Sequence, residues 1–138
     1  MPVRSLPALS LALLLAATAG ASAHDSGAYV KSLQESLAAY SASDFAAGDV
    51  NPTGFRKVHL RYRENDHGAR TYMLCGEVRI GAGAEARWLD FATVKTKPFE
   101  QWIGSAASEM CALAIPVSSD DDDLSALIEA RMKPHEIP

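Results

Sequence analysis

Residues 72–80 read YMLCGEVRI, and the rest of the chain is read around this stretch. Tyr72, Leu74, Val78 and Ile80 share one face of an extended segment, because side chains alternate across a strand. Met73, Cys75 and Glu77 point to the other face. A face carrying Met and Cys is not wholly solvated, so a second segment is expected to cover part of it. The only other cysteine is Cys111. A Cys75–Cys111 disulfide would staple that segment to the strand. Gly76, with no Cβ, permits a close approach of chain or a bulge.

The compartment supports the staple. Residues 1–23 read MPVRSLPALSLALLLAATAGASA: a basic start at Arg4, an apolar run from Leu6 to Ala19, then the small residues Ala21-Ser22-Ala23. This is the layout of a secretory leader cleaved after Ala23. The run is short for a membrane span of about 20 residues and is not closed by basic residues. No cysteine near the cleavage site offers a lipid anchor. The mature protein is expected in the periplasm or outside the cell, where a cysteine pair forms a disulfide. Closing a loop of about 37 residues is worth roughly 3.8 kcal/mol on the chain-entropy model. The alternative is a reactive thiol, but there is no C-x-x-C and no adjacent base.

Loss of the leader removes Arg4 and takes the formal charge from −4 to −5. A mildly acidic chain gives no support to general nucleic-acid binding. Residues 24–117 are expected to form an α+β domain, with an acidic linker and C-terminal helix at 118–138 belonging to it. The elements expected are an N-terminal helix, a three-stranded or slightly larger antiparallel sheet, and C-terminal helices. Asp25 and Ser26 can cap a helix running to about Ala42, with Val30, Leu33, Leu37 and Tyr40 as its apolar stripe. Ser43-Asp44 would start a separate short turn. Asn51-Pro52-Thr53-Gly54 has turn chemistry. Lys57 to Arg63 alternates, with Val58, Leu60 and Tyr62 inward. A polar turn at Glu64–Gly68 leads into Arg70–Ile80, and Arg87–Thr96 gives the third strand. Residues 99–113 are read as helical, anchored by Trp102, Ile103, Met110 and Leu113. A last helix runs from Asp123 to Lys133.

Candidate chemistry is sparse. Lys57, His59, Arg61 and Arg63 line the outward side of their strand and, with Arg79, form a candidate face for an anionic envelope component or an acidic protein partner; otherwise this is a solvated sheet face with a cross-strand pair to Glu77. Glu77 offers two alternatives: a proton-transfer group with a raised pKa beside the disulfide, or an ion-pair partner of Arg79 or Arg61. As the first mature residue, His24 would offer copper an amine and an imidazole, but neither His59, His67 nor His135 has a close ligand spacing to it. Asp120–Asp123 lacks the arrangement of a calcium loop. No metal or other cofactor is assigned. Neither a G-x-S-x-G elbow nor an H-E-x-x-H motif is present.

Phe55-Arg56-Lys57-Val58, then Cys75-Gly76-Glu77-Val78 in a strand, an aromatic-bearing strand and a late cysteine resemble a family of small exported bacterial proteins of uncharacterised function. In that family a Pro-containing turn precedes Phe-Arg-x-Val, as Asn51-Pro52-Thr53-Gly54 does here in shorter form. The family's Asn-containing, Gly-Gly-Tyr-rich segment is replaced by Arg79-Ile80-Gly81-Ala82-Gly83-Ala84. The resemblance spans about residues 50–111 and implies an exported α+β domain, with no activity attached. The expected function is a non-catalytic binding or accessory protein. The alternatives are an inhibitor or immunity-type protein against an envelope enzyme, and a small hydrolase or redox protein.

Overall fold

The structure, a computed structural model, describes residues 26–117 and 122–133. Helix α1 spans Gly27–Ala47 and is capped by Ser26, whose hydroxyl accepts a hydrogen bond from the Tyr29 N–H at 3.2 Å. It runs past Ala42 and absorbs the separate turn expected at Ser43. The reason is the stripe itself: Ala38, Ser41, Ala42 and Phe45 continue the buried row begun by Val30, Leu33 and Leu37. Phe45 ends that row in an aromatic cluster, its ring 5.4 Å from Phe55 and 5.6 Å from Phe91, both edge-on.

The sheet is antiparallel with five strands in the order β4-β3-β2-β1-β5. These are β1 (Pro52–Glu64), β2 (Arg70–Ile80), β3 (Arg87–Val94), β4 (Glu100–Ile103) and β5 (Ile115–Pro116). The β1–β2 hairpin closes at Asn65, whose side-chain oxygen accepts from the N–H groups of His67 and Ala69 at 2.9 and 3.0 Å. Between β4 and β5 lies α2 (Ser105–Ala112), and α3 (Ser125–Met132) follows. Helices α1 and α3 pack on one face of the sheet, and α2 on the other. Two cores result. Tyr72, Leu74 and Val78 face the larger one with α1 and α3, and Met73 and Cys75 face a smaller one with Ala92, Val94 and Ala107.

Two further expectations about local structure are corrected. The turn at Asn51–Gly54 is instead the start of β1, and the strand reaches its expected part through a bulge. Arg56 pairs with Glu77 and His59 with Cys75, so Lys57 and Val58 together oppose Gly76. Lys57 takes a positive φ of 55° there. The extra residue is what lets Phe55 and Val58, three apart, both face the core.

The helix expected over 99–113 divides. Glu100–Ile103 forms β4, paired to β3 with Phe91 opposite Ile103, and Gly104 at φ 89° turns the chain into the shorter α2. Trp102 and Leu113 are therefore not anchors; they are 40% and 67% exposed.

Candidate functional site

The face under α2 is only partly covered. Helix α2 lies over the Met73–Cys75 and Ala92–Val94 portion, fixed by the Cys75–Cys111 disulfide with its Cα atoms 5.9 Å apart. Beside it an open groove of about 420 Å³ runs across the sheet. Lys57 and Arg61 of β1 form one wall, and Asp90 of β3 with Ser108 of α2 form the other. The floor is β2, with the disulfide, Gly76 and Glu77. Since β2 separates β1 from β3, the walls stand about 10 Å apart. Ser108 Oγ donates to Asp90 Oδ2 and lies 3.2 Å from the Gly104 carbonyl oxygen, which ties the helix to the β3 wall.

The electrostatics centre on Glu77. Arg56 donates to it through Nε at 3.1 Å and through a terminal nitrogen at 3.2 Å, and Lys57 Nζ lies 3.5 Å away. The Arg56 hydrogen bonds and the two positive charges outweigh the cost of burial and hold the carboxyl below its ordinary range. Of the two sequence alternatives, the raised pKa is corrected, since the pKa is lowered, and the ion pair is present with other partners: Lys57 of the basic stripe and Arg56, rather than Arg79 or Arg61. The Arg56 guanidinium also stacks 4.0 Å from the Trp88 ring centroid.

The basic residues read from the sequence do share this side of the sheet, but they play different parts. Lys57 is exposed and shared with Glu77. His59, opposite Cys75, has Nδ1 3.1 Å from the Asp122 carbonyl oxygen. Arg61 is half-buried at the groove wall. Arg63 is exposed and lines a second depression, of about 340 Å³, on the far side of α2, over Met73, Val94 and Met110. Arg79 stands opposite Trp88 in the β2–β3 register and does not line either space. Sequence reasoning missed Arg56, Trp88, Asp90 and Ser108. The signal for Arg56 was available: Phe55 and Val58 cannot both face inward without a bulge, and the bulge turns Arg56 outward.

Asp123 is a second fixed charge. Its carboxylate accepts the N–H groups of Lys57 and Val58 at 3.0 and 3.1 Å and that of Ser125 at 2.9 Å. Burial works against its ionisation, but the Ser125 hydroxyl and these three N–H groups outweigh it, and the carboxyl lies below its ordinary range. It pins the bulge and, through the Ser125 N–H, ties it to the first residue of α3.

Among the described residues no group of three His, Cys, Asp or Glu side chains is placed to hold a metal, and no helix is long and apolar enough to cross a membrane. The segment expected to be a leader, residues 1–23, together with His24 and His135, lies outside the described residues. No family model, curated protein or solved structure matches the chain.

Proposed function

We propose that the protein is exported and acts as a non-catalytic binding or accessory protein through the α2-side face of its sheet. One observation carries this reading. The larger core fills the opposite face beneath α1 and α3, whereas here a single short helix covers only part of the sheet and leaves a groove floored by the central strand β2 and walled by charged side chains. Its size falls in the range of ligand-binding clefts. Glu77 supports the non-catalytic part: it is held as a carboxylate by two cations and so serves as a counter-ion rather than a proton-transfer group. The leader pattern, the disulfide and the family resemblance support export.

Two measurements test it. A photo-cross-linking side chain at Ala112, beside the groove, is expected to give discrete adducts in a cell-envelope fraction. The same group at Ser32, exposed on α1 and outside the groove, is expected to give none. Adducts only from position 32, or none from 112, would overturn the binding face. Intact mass of the protein from that fraction, alkylated before and after reduction, is expected to start at His24 with both thiols protected. A retained Met1 with free thiols would overturn export.

A further inference from the structure

We infer that the groove recognises an anionic group, a carboxylate or a phosphate, through the guanidinium of Arg61. The inference rests on the binding face proposed above and names the chemistry of its ligand.

The first support is how the charges are already spent. Glu77 has both oxygens occupied by Arg56 and a further contact from Lys57. Arg70 pairs with Glu64 at 3.8 Å, and Arg131 with Glu35 at 2.5 Å. Among the described residues no carboxylate pairs with Arg61. Yet Arg61 is half-buried, at the wall of the groove. A partly desolvated guanidinium without an acid beside it favours an anion from outside.

The second support is rigidity. Arg61 is paired on both sides within the sheet, to Met73 of β2 and to Pro116 of β5. Its backbone is fixed before any ligand arrives, which lowers the cost of ordering the contact. The third is shape. A guanidinium presents a planar fork of N–H donors that matches two oxygens of a carboxylate or phosphate at once. On the opposite wall Asp90 is tied to Ser108, so the anion is directed to the β1 side and the rest of the ligand towards β3.

The test is an NMR titration of the ¹⁵N-labelled protein, disulfide intact, with sodium phosphate and separately with sodium succinate, at ionic strength held constant with chloride. The expected result is a saturable shift of the Arg61 Nε–H and of the amides of Cys75, Gly76 and Ser108. Arg61→Gln is expected to weaken the affinity at least tenfold, and the exposed Arg87→Gln to leave it unchanged. Arg61→Lys keeps the charge, removes the fork, and is expected to fall between; it also serves if the Gln variant does not fold. Saturation by only one of the two salts identifies the anion class. Absence of saturation with both, or equal affinity in Arg61→Gln and Arg61→Lys to the unsubstituted protein, would overturn the inference. If the Ala112 cross-links then persist, the binding face stands without its anion; if they are lost as well, the face itself is wrong.

Discussion

Gly76 sits where a bulged strand and an aromatic ring converge. A Cβ at this position would lie 2.7 Å from Val58 Cγ2, 3.0 Å from Val58 Cα and 3.1 Å from Phe91 Cε1. Val58 cannot retreat easily, because its N–H is held by Asp123 and its carbonyl accepts from the Leu124 N–H at 2.8 Å. Gly76→Ala is therefore an overpacking change and is expected to cost about 1–3 kcal/mol. Urea unfolding should show a lower midpoint with an unchanged slope; an unaltered midpoint would mean that β1 yields. Ser41 makes the opposite case. It is fully buried on α1, and its hydroxyl has no hydrogen-bond partner among the described residues. Ser41→Ala removes that unmatched group and is expected to stabilise by about 1 kcal/mol, seen as a melting temperature raised by a few degrees. A lower melting temperature would show that the hydroxyl is satisfied in solution. At this scale the sequence offered a close approach or a bulge for Gly76, and the two meet there. The strand opposite carries the bulge, and its Val58 fills the space the glycine leaves.

Helix α2 depends on the sheet for its place. Its own core is small: Met73, Cys75, Ala92, Val94 and Ala107 are the buried members. A helix of eight residues is marginal by itself, so tertiary contacts and the Cys75–Cys111 link must hold it. Cys111→Ser is expected to destabilise the protein by about 2–5 kcal/mol. Hydrogen exchange of the reduced wild-type protein should show α2 amides losing protection while those of α1 and β2 keep theirs. Uniform loss across the chain would mean that α2 is integral to the single cooperative unit. The staple was legible because Met73 and Cys75 share a face that needs cover. The segment it brings was not: Glu100–Ile103 is too short to display an alternating period, and its extended form is set by pairing with β3. Of the candidate site, the strand bearing Lys57, His59, Arg61 and Arg63 was legible from its alternation. Asp90 and Ser108 were not, since only tertiary contact brings β3 and α2 together. Glu77's partner was likewise hidden, because register across a bulge decides that it meets Arg56.

Over the whole molecule, two carboxylates tie distant parts of the chain, and both act through Lys57. Asp123, from the segment before α3, accepts the Lys57 N–H, while Glu77 on β2 receives the Lys57 ammonium. Each carboxyl lies below its ordinary value, 3.8 for Asp123 and 4.5 for Glu77. A group whose pKa is lower folded than unfolded binds protons more readily in the unfolded state. Its stabilisation is thus complete above the ordinary value and is lost as pH falls through the folded one. The melting temperature is accordingly expected to hold from neutral pH to about 5 and to fall below that, with both groups contributing in the same acid window. Asp123→Asn and Glu77→Gln should each lower the plateau and flatten the acid fall. Because the two groups share Lys57, their effects are not independent, and the double variant is expected to depart from the sum of the single changes by more than about 0.5 kcal/mol. Denaturant titrations of the four proteins, at pH 7 and on descending through the acid range, measure that coupling directly. Coupling present at pH 7 that fades as the two carboxylates take up protons is the expected pattern; additive behaviour at pH 7 would show that the bulge is held by Asp123 alone.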